Sequence, residues 1–350
     1  MRFQESFAAA GITDSVYITF LRTIPYRFYS IFSIAMVLTL IATLRDYGPM
    51  YNAEIRARKT GKVLADGAVP LAEEDVKEFG MKEGVPVRVV NFVLPVALLI
   101  ILTFVGLYVE GGGAEVGIQE AFGNADSITV LLWASLVGAV VTVLLVLGQK
   151  ILTLIEAIDT LVAGAKSVFV ALIILVLAWS LSAVSGELGT ADYIVRAVEA
   201  ANVPAQIIPL SIFLIACFMA FAMGTSWGTM GIVLPLAVPI SLAIGAPMLP
   251  TIGAVMTGAI FGDHCSPLSD TTILSSTGSG ADHIDHVRTQ IPYALTVAGV
   301  AAVFGFIPAG FGTPALVSIP LGIAALIIIV RVFGKSTEGV ELEVKDKVTG

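Results

Sequence analysis

Charged residues are scarce in this sequence of 350 residues. Asp, Glu, Lys and Arg make up 13% of it, whereas about a quarter is usual for soluble domains, and hydrophobic residues reach 57%. So little charge is not typical of a water-soluble protein, and we therefore expect a chain embedded in the lipid bilayer. The sequence also lacks a basic stripe with interleaved aromatic residues, which argues against a nucleic-acid partner.

Cysteines are equally sparse. The two present, Cys217 and Cys265, both lie in apolar stretches, where a thiol behaves as a small hydrophobic residue rather than as half of a disulfide. A transition-metal site would have to draw on Asp263, His264, Cys265, His283, Asp285 and His286. Three consecutive residues cannot easily converge on one ion, and zinc spacing such as C-x-x-C is absent, so we predict neither a transition metal nor a cofactor.

Long apolar runs, by contrast, recur along the chain at about the twenty-residue length that crosses a bilayer as a helix. They occupy residues 24–44, 89–109, 128–147, 167–185, 206–245, 251–262, 291–309 and 314–330. We predict an all-α, polytopic membrane protein with roughly 8–10 transmembrane or re-entrant helices. Residues 1–350 are expected to form a single transmembrane domain.

The charges in the loops predict which side of the membrane each loop faces. Residues 45–88 include the basic stretch EIRARKTGK, whereas residues 107–128 carry acidic residues and no Lys or Arg. By the positive-inside rule, the insert at 45–88 is cytoplasmic, and Arg331 and Lys335 place the tail at 334–350 on the same side. We therefore expect a multi-pass protein of a cell membrane.

A polar stretch, FGDHCSPLSDTTILSSTGSG at residues 261–280, follows an apolar run directly. A carboxylate in hydrocarbon is costly, so Asp263 and Asp270 must face a polar or wet cavity. Pro267 cannot continue a regular helix, and Gly262 loosens the other side, which together predict an unwound segment near 262–269. Such irregular backbone survives at membrane depth only where it lines a cavity.

The oxygen atoms of this stretch suit a hard monovalent cation such as Na⁺. The candidate ligands are Asp263, Ser266, Ser269, Asp270, Thr271 and Thr272, with Na⁺ placed at the two carboxylates. Burial favours the protonated form of an aspartate, whereas a bound cation favours its ionised form. H⁺ and Na⁺ would therefore compete for Asp263. Alternating access to such a site would produce ion exchange.

A second broken helix is predicted near residues 224–229, in GTSWGTMGIVLPLAVP. Thr225 and Ser226 are candidates for the facing half of the ion site. A helix-packing surface of small residues explains the same pattern, and the two alternatives stay open.

Several other titratable residues are candidates for a functional role. Glu156 and Asp159, three apart, could form a proton funnel or lie in water on an interfacial helix. We expect His264 to be a hydrogen-bonded residue beside the cavity. His283 and His286 are expected in a wet cytoplasmic loop, with pH tuning as the alternative.

An intramembrane aspartyl protease is the rival from the enzyme class. Asp263 and Asp270 are close in sequence rather than on separate helices, and IFGD lacks the first glycine of a G-x-G-D pattern. We therefore predict that the chain is not an enzyme.

The sequence resembles the NhaC-type Na⁺/H⁺ antiporter family. The resemblance lies in GAIFGDHCSPLSDTTILSS (258–276), GTSWGTMGIVLPLAVP (224–239), LVLAWSLSAVSGELGTADYI (175–194) and RDYGPMYNAEIRARKTG (45–61). It implies secondary transport of Na⁺, or Li⁺, against H⁺ in a bacterial or archaeal cell membrane. Relatives that exchange malate with lactate supply the alternative.

One departure from the family pattern concerns the number of motif copies. Chains of the family carry a related S-P-x-S-D-T-T copy in their first half, as part of an inverted repeat, whereas this sequence has the motif once, at Ser266 to Thr272. We therefore expect a second-half-like transporter domain. Its missing half-site would come from a longer chain, a homo-oligomer or a separate chain.

Overall fold

The computed structural model describes residues 16–70, 88–167 and 204–339, together with single helical residues between 169 and 188. The predicted span at 167–185 lies largely outside them. In chain order the elements are α1 (Val16–Arg22), a 3₁₀ turn (Ile24–Tyr26), α2 (Phe28–Thr43), β1 (Arg45–Asp46), α3 (Gly48–Thr60), α4 (Val90–Glu110), a 3₁₀ turn (Gly113–Glu115), α5 (Ile118–Asn124), α6 (Ser127–Gly148), α7 (Leu154–Ser167), a 3₁₀ turn (Ala205–Ile207), α8 (Ile208–Met223), α9 (Ser226–Ile244), α10 (Met248–Cys265), α11 (Asp270–Gly278), α12 (His283–Val300), a π-helical stretch (Ala301–Phe306), α13 (Ile307–Gly310), α14 (Ala315–Phe333) and β2 (Lys335–Ser336).

Five helical stretches in the described part are long and apolar enough to cross a membrane. They are Val90–Glu110, Ser127–Gly148, Ala205–Met223, His283–Gly310 and Ala315–Phe333. A sixth results if Thr19–Tyr26 and Phe28–Thr43, bent by 48° relative to each other, form one span. The all-α, polytopic fold is therefore confirmed.

The described chain forms two compact units, one from residues within 1–72 and 168–350 and one from residues within 73–167. In the second unit α4 packs against α6, and Gln149 after α6 donates a 2.6 Å hydrogen bond to the Oδ1 of Asn91. The polar motif and both predicted breaks lie in the first unit. The prediction of a single transmembrane domain stays a prediction.

Aromatic side chains form the centre of the first unit. Phe28 of α2, Phe213 of α8 and Phe306 of the π-helical stretch are almost fully buried. The ring of Phe306 stacks on Phe213 at 4.7 Å and meets Phe28 edge-on at 5.2 Å. These contacts join α2, α8 and the π-helical stretch. Helices α2 and α8 also pack against α10, which carries the start of the motif.

Glycines let α8 and α10 approach each other closely. A Cβ atom at Gly262 would collide with the carbonyl oxygen of Cys217, and one at Gly258 would lie 2.8 Å from the Cβ of Ala216. The spacing of these two glycines is the small-xxx-small pattern of tightly packed membrane helices. The expectation that Gly262 loosens the helix is therefore wrong, because its lack of a side chain permits close packing instead.

The break after α10 is shorter than predicted. Residues 262–265 remain helical, and only 266–269 leave the helix. Ser266 has φ −78° and ψ 128°, the extended conformation that a following proline imposes. Pro267 therefore ends α10 just before itself, as its missing N–H requires.

The second break is also narrower than the predicted 224–229. Only Gly224 and Thr225 lie between α8 and α9. Gly224 has φ +66°, a conformation that glycine adopts readily and that commonly ends a helix. Because the Thr225 side chain caps α9 at once, the helix resumes by Ser226.

Strands β1 and β2 join two segments that are distant in sequence. Arg45 pairs with Ser336 and Asp46 with Lys335 in an antiparallel ladder. The start of the 45–88 insert and the start of the tail thus lie at the same end of the first unit. A shared side of the membrane requires this arrangement.

Candidate ion-binding site

Asp263 lies in the last turn of α10 and is 4% exposed. Ser269 Oγ donates a 2.6 Å hydrogen bond to its Oδ1, and Thr271 Oγ1 donates a 2.9 Å hydrogen bond to its Oδ2. The two hydroxyl oxygens are 2.9 Å apart. Both oxygens of a buried carboxylate are therefore bound by hydroxyl groups from the far side of the break.

Ser269 and two further hydroxyl residues, Ser266 and Thr272, hold residues 266–269, the connection between α10 and α11, in shape. Ser269 caps α11, its Oγ accepting from the N–H of Thr272 at 3.3 Å. Thr272 Oγ1 reaches back to the Asp263 carbonyl oxygen at 3.4 Å. Ser266 Oγ accepts from the N–H of Leu268 at 3.2 Å. Ser266, Ser269 and Thr272 are buried, so their polar atoms satisfy one another without bulk water.

Thr271 differs from its neighbours in being exposed among the described residues. Its hydroxyl nevertheless binds the buried Asp263 carboxylate. The carboxylate is therefore separated from the outside of the unit by one side chain. Each donating hydroxyl keeps its own lone pairs, which are the neutral oxygen ligands that a small cation accepts.

Two helix ends of opposite polarity meet at this break. The carbonyl end of α10 carries partial negative charge, and the N–H end of α11 carries partial positive charge. Asp270 is the first residue of α11, where a carboxylate is stabilised by the helix dipole, and its Oδ1 accepts from the N–H of Thr271 at 2.8 Å. The hydroxyls that bind Asp263 are Ser269 and Thr271. That Asp270 is a second ion ligand stays a prediction.

The second break touches the first. A Cβ atom at Gly224 would collide with the carbonyl oxygen of Leu268, in the middle of the 266–269 connection. Thr225 and Ser226 follow directly and are buried. Thr225 Oγ1 accepts from the N–H of Gly228 at 3.4 Å, as a helix cap. The structure thus brings the two breaks together, while the role of Thr225 and Ser226 as ion ligands stays a prediction.

Comparison with known proteins shows the family to which this chain belongs. Residues 1–311 match the model of the Na⁺/H⁺ antiporter family. The chain belongs to this family. An uncharacterized protein of Haemophilus influenzae is 36% identical over 312 residues, which are 87% of this chain and 57% of that protein. The chain thus spans little more than half the length of this relative.

Two named antiporters match shorter parts of the chain. The malate-2H(+)/Na(+)-lactate antiporter of Bacillus subtilis is 39% identical over 105 residues, 29% of this chain and 22% of that protein. The Na(+)/H(+) antiporter NhaC of Alkalihalophilus pseudofirmus is 37% identical over 93 residues, 25% of this chain and 20% of that protein. No solved structure matches the chain closely enough to be counted as similar. The resemblance to NhaC-type antiporters is confirmed.

His264 and His283 both take part in hydrogen bonds in this antiporter-family chain. His264 Nδ1 lies 3.1 Å from the Tyr29 hydroxyl, as expected of a hydrogen-bonded histidine, and both residues line a cavity of about 510 Å³. His283 was expected in a wet loop, but it is 8% exposed and contacts Pro267 and Ser276. That expectation is wrong because α12 begins at His283 rather than after it.

The sequence did contain a signal for the position of His283. Asp282 is followed three residues later by Asp285 and then by an apolar run, a pattern that marks a helix start. The Asp282 side chain indeed caps α12, accepting from the N–H of Asp285 at 2.9 Å. The start of that helix could therefore have been predicted at His283, whereas the burial of its ring depends on how α12 packs.

The acidic pair of α7 lies in the other unit. Glu156 Oε2 accepts from the N–H of Thr153 at 2.8 Å, and Thr153 Oγ1 accepts from the N–H of Glu156 at 3.3 Å. These reciprocal bonds form a capping box at the start of the helix. A proton funnel at Glu156 and Asp159 stays a prediction.

No group of three or more His, Cys, Asp or Glu side chains within the described residues is arranged to hold a metal ion. The carboxylate and hydroxyl oxygens around Asp263 are of the kind that a hard cation accepts as ligands. Their inventory, one carboxylate with neutral oxygens, fits a monovalent hard cation better than a transition metal.

Proposed function

We propose that this chain takes part in secondary active transport, exchanging Na⁺ or Li⁺ for H⁺ across a bacterial or archaeal cell membrane. Membership of the Na⁺/H⁺ antiporter family supports the reaction. The observation that carries the proposal is the buried Asp263 carboxylate, bound through both oxygens by Ser269 and Thr271 at a helix break. Discontinuous helices are the usual frame for ion sites in transporters.

The proposed mechanism is competition between two ions for one carboxylate. A proton neutralises Asp263, and the neutral acid is stable in the buried site without further charge. A Na⁺ ion instead needs the ionised carboxylate, with the hydroxyl oxygens of Ser269 and Thr271 as additional ligands. Because the site holds one ion or the other, access from alternating sides exchanges them. Apparent Na⁺ affinity should therefore rise with pH.

Asp263→Asn tests this proposal directly. Asparagine keeps the size of the side chain but neither ionises nor releases a proton, so we expect Na⁺-dependent proton movement to be lost. The measurement is the signal of a pH-sensitive dye in everted vesicles after addition of Na⁺, Li⁺, K⁺ or malate. Asp66→Asn is the matched control, because Asp66 is exposed and forms an ion pair with Lys62. Normal Na⁺ exchange in the Asp263 variant would remove this carboxylate from the ion path.

An organic-anion exchange coupled to Na⁺ and H⁺ is the second candidate. The malate-lactate antiporter of Bacillus subtilis matches part of the chain. A cavity of about 740 Å³ in the first unit is lined by the basic side chains of Arg56, Arg288 and Lys335, together with the carboxylates of Asp282 and Asp285. Guanidinium groups suit carboxylates. Malate-driven proton movement in the same vesicles would favour this candidate, and its absence alongside a Na⁺ response would favour inorganic exchange.

We also propose the sidedness of the chain. The 45–88 insert and the 334–350 tail face the cytoplasm, because their basic residues follow the positive-inside rule. The pairing of β1 with β2 supports a common side for the two segments.

A further inference from the structure

His283 belongs neither to the polar motif nor to the set of candidate ligands, yet its ring is fixed at both nitrogens. Nε2 lies 2.8 Å from the carbonyl oxygen of Pro267. Nδ1 lies 3.0 Å from the hydroxyl oxygen of Ser276. A carbonyl oxygen can only accept, so Nε2 carries a proton and donates a hydrogen bond to the Pro267 carbonyl oxygen.

These two bonds connect three separate segments. Pro267 lies in the 266–269 connection, Ser276 lies in α11, and His283 itself begins α12. The Ser276 hydroxyl oxygen lies 3.0 Å from both Nδ1 and the Ile273 carbonyl oxygen, and its single proton can be donated to only one of them. The imidazole ring thus bridges the break and the helix that follows it.

The position of His283 is itself set by the start of α12. The Asp282 carboxylate accepts from the N–H of Asp285 at 2.9 Å and from the N–H of Val69 at 2.7 Å. The helix therefore begins at a defined place, with His283 as its first residue.

Pro267 lies two residues before Ser269, whose hydroxyl binds the Asp263 carboxylate at 2.6 Å. Because the connection has only four residues outside the helices, a shift of the Pro267 carbonyl group moves Ser269 as well. Part of the connection keeps backbone hydrogen bonds, from the N–H of Ser266 to the Gly262 carbonyl at 3.0 Å and from the N–H of Ser269 to the Ser266 carbonyl at 3.2 Å. Among the described residues no backbone N–H donates to the Pro267 carbonyl oxygen, because the regular helical bonds end at a break. A side-chain donor from another helix can replace them.

We propose that His283 is a positioning residue for the Asp263 site. Its Nε2–H holds the Pro267 carbonyl and so keeps the hydroxyls of Ser269 and Thr271 in place as preformed partners of the carboxylate and of Na⁺. The inference rests on the proposed function. It concerns the geometry of the ring and requires no change in its charge.

Two substitutions distinguish the hydrogen bond made by Nε2 from the one made by Nδ1. The amide nitrogen of His283→Gln reaches about as far as Nε2 and can still donate to Pro267, whereas His283→Asn reaches only as far as Nδ1. We expect the Gln variant to retain the KM of the wild type for Na⁺. The Asn and Ala variants should raise it about three- to tenfold, the loss of one hydrogen bond, with kcat little changed.

The measurement is Na⁺-dependent proton exchange by the full chain in proteoliposomes, at several Na⁺ concentrations and pH values. His286→Gln is the matched control, since the His286 ring has no hydrogen-bond partner among the described residues. We expect the Gln variant at position 283 to keep the pH profile of the wild type. Equal increases in KM for the Gln and Asn variants would overturn the proposal, as would a shifted pH profile in the Gln variant.

A binding measurement distinguishes this inference from the proposed function. Ligand binding to the folded state raises its thermal stability, so Na⁺ should raise the unfolding temperature of the purified wild type. We expect the Na⁺ concentration needed for half of this shift to rise in the Asn and Ala variants and to stay unchanged in the Gln variant. If Na⁺ stabilises the wild type but drives no exchange, the transport proposal fails while this titration still decides the role of His283. If Na⁺ has no effect in either assay, both proposals fail.

Discussion

The two hydroxyls bound to Asp263 set the balance between its ionised and protonated forms. Hydrogen bonds donated to a carboxylate favour the ionised form, which is the form that binds Na⁺ in the proposed mechanism. Ser269→Ala and Thr271→Val each remove one donor and one potential ligand. We expect both variants to need more Na⁺ at a given pH, by about three- to tenfold in half-saturating concentration, and to need a higher pH for the same activity.

Ser275→Ala provides the matched control for these variants. Its hydroxyl lies on the same helix but donates to the Thr272 carbonyl oxygen at 3.1 Å and does not touch Asp263. The half-saturating Na⁺ concentration of this variant should match that of the wild type. It is measured in the same vesicle assay, by dye-monitored exchange between pH 6 and 9. An equal effect of all three substitutions would point to general damage of α11 instead.

At the residue scale, the grouping around Asp263 follows from the sequence because the partners are near neighbours. Once Pro267 breaks the helix, the chain has to fold back within a few residues, which brings Ser269 and Thr271 to the carboxylate. His283 was misplaced because its contacts depend on how α12 packs, a long-range property that short motifs do not encode. The candidate ligand Asp270 illustrates a related limit, since spacing alone did not show that it begins α11.

At the element scale, the close packing of α8 against α10 predicts that a larger side chain in this interface destabilises the protein. Gly262→Ala would place a methyl group against the Cys217 carbonyl and the Ala220 Cβ. Backbone cannot move aside easily, so we expect the free energy of unfolding to fall by about 1–3 kcal/mol. Thermal unfolding of the detergent-purified protein measures this. Gly278→Ala is the control, because a Cβ atom there meets nothing within 4 Å, and an equal loss in both variants would contradict the close-packing account.

The cap of α12 predicts a pH dependence of stability. Hydrogen bonding to the N–H of Asp285, and to that of Val69, holds the pKa of Asp282 below its usual range. A lowered pKa in the folded state means that the stabilisation is present above the unfolded pKa, about 3.9, and is lost as pH falls through the folded value. We therefore expect the unfolding temperature to decline below about pH 4 in the wild type.

Two variants of Asp282 test this cap. Asp282→Ala should lose about 0.5–2 kcal/mol at neutral pH, whereas Asp282→Asn still caps the helix and should lose less. Neither variant has a carboxylate at this position, so both should show a weaker decline in acid. An unchanged acid decline in both would assign that decline to other groups.

The positions of the helices were predictable from apolar runs, and both breaks were found from glycine and proline. The lengths of the two breaks were not predictable, because Gly262 permits close helix packing and Thr225 caps α9 at once. Helix α3, at Gly48–Thr60 within the predicted cytoplasmic insert, was also not predicted as a helix. It is polar and has no apolar stripe, so its sequence lacks the periodic signal on which such predictions depend.

At the scale of the whole molecule, family membership and fold class followed from the sequence, whereas the packing of distant segments did not. The β1–β2 pairing joins residues 45–46 to residues 335–336, a contact that no local pattern indicated. The pairing nevertheless agrees with the loop charges, which predict a common side for the two segments, since it places both at one end of the first unit. The pairing therefore supports a common side for the two segments, and the loop charges are the basis for proposing that this side is the cytoplasm.

Sidedness is testable with single cysteines and a membrane-impermeant maleimide. We expect Lys62→Cys and Ser336→Cys to be labelled from the cytoplasmic face and Glu115→Cys from the opposite face, since all three positions are exposed. Cys217 and Cys265 are buried, so the native protein should react slowly and serves as the background. Everted and right-side-out vesicles give the two faces. Labelling of positions 62 and 336 from different faces would contradict the β1–β2 pairing. Labelling of all three from one face would mean that α4, the long apolar helix between positions 62 and 115, does not cross the membrane in the proposed way.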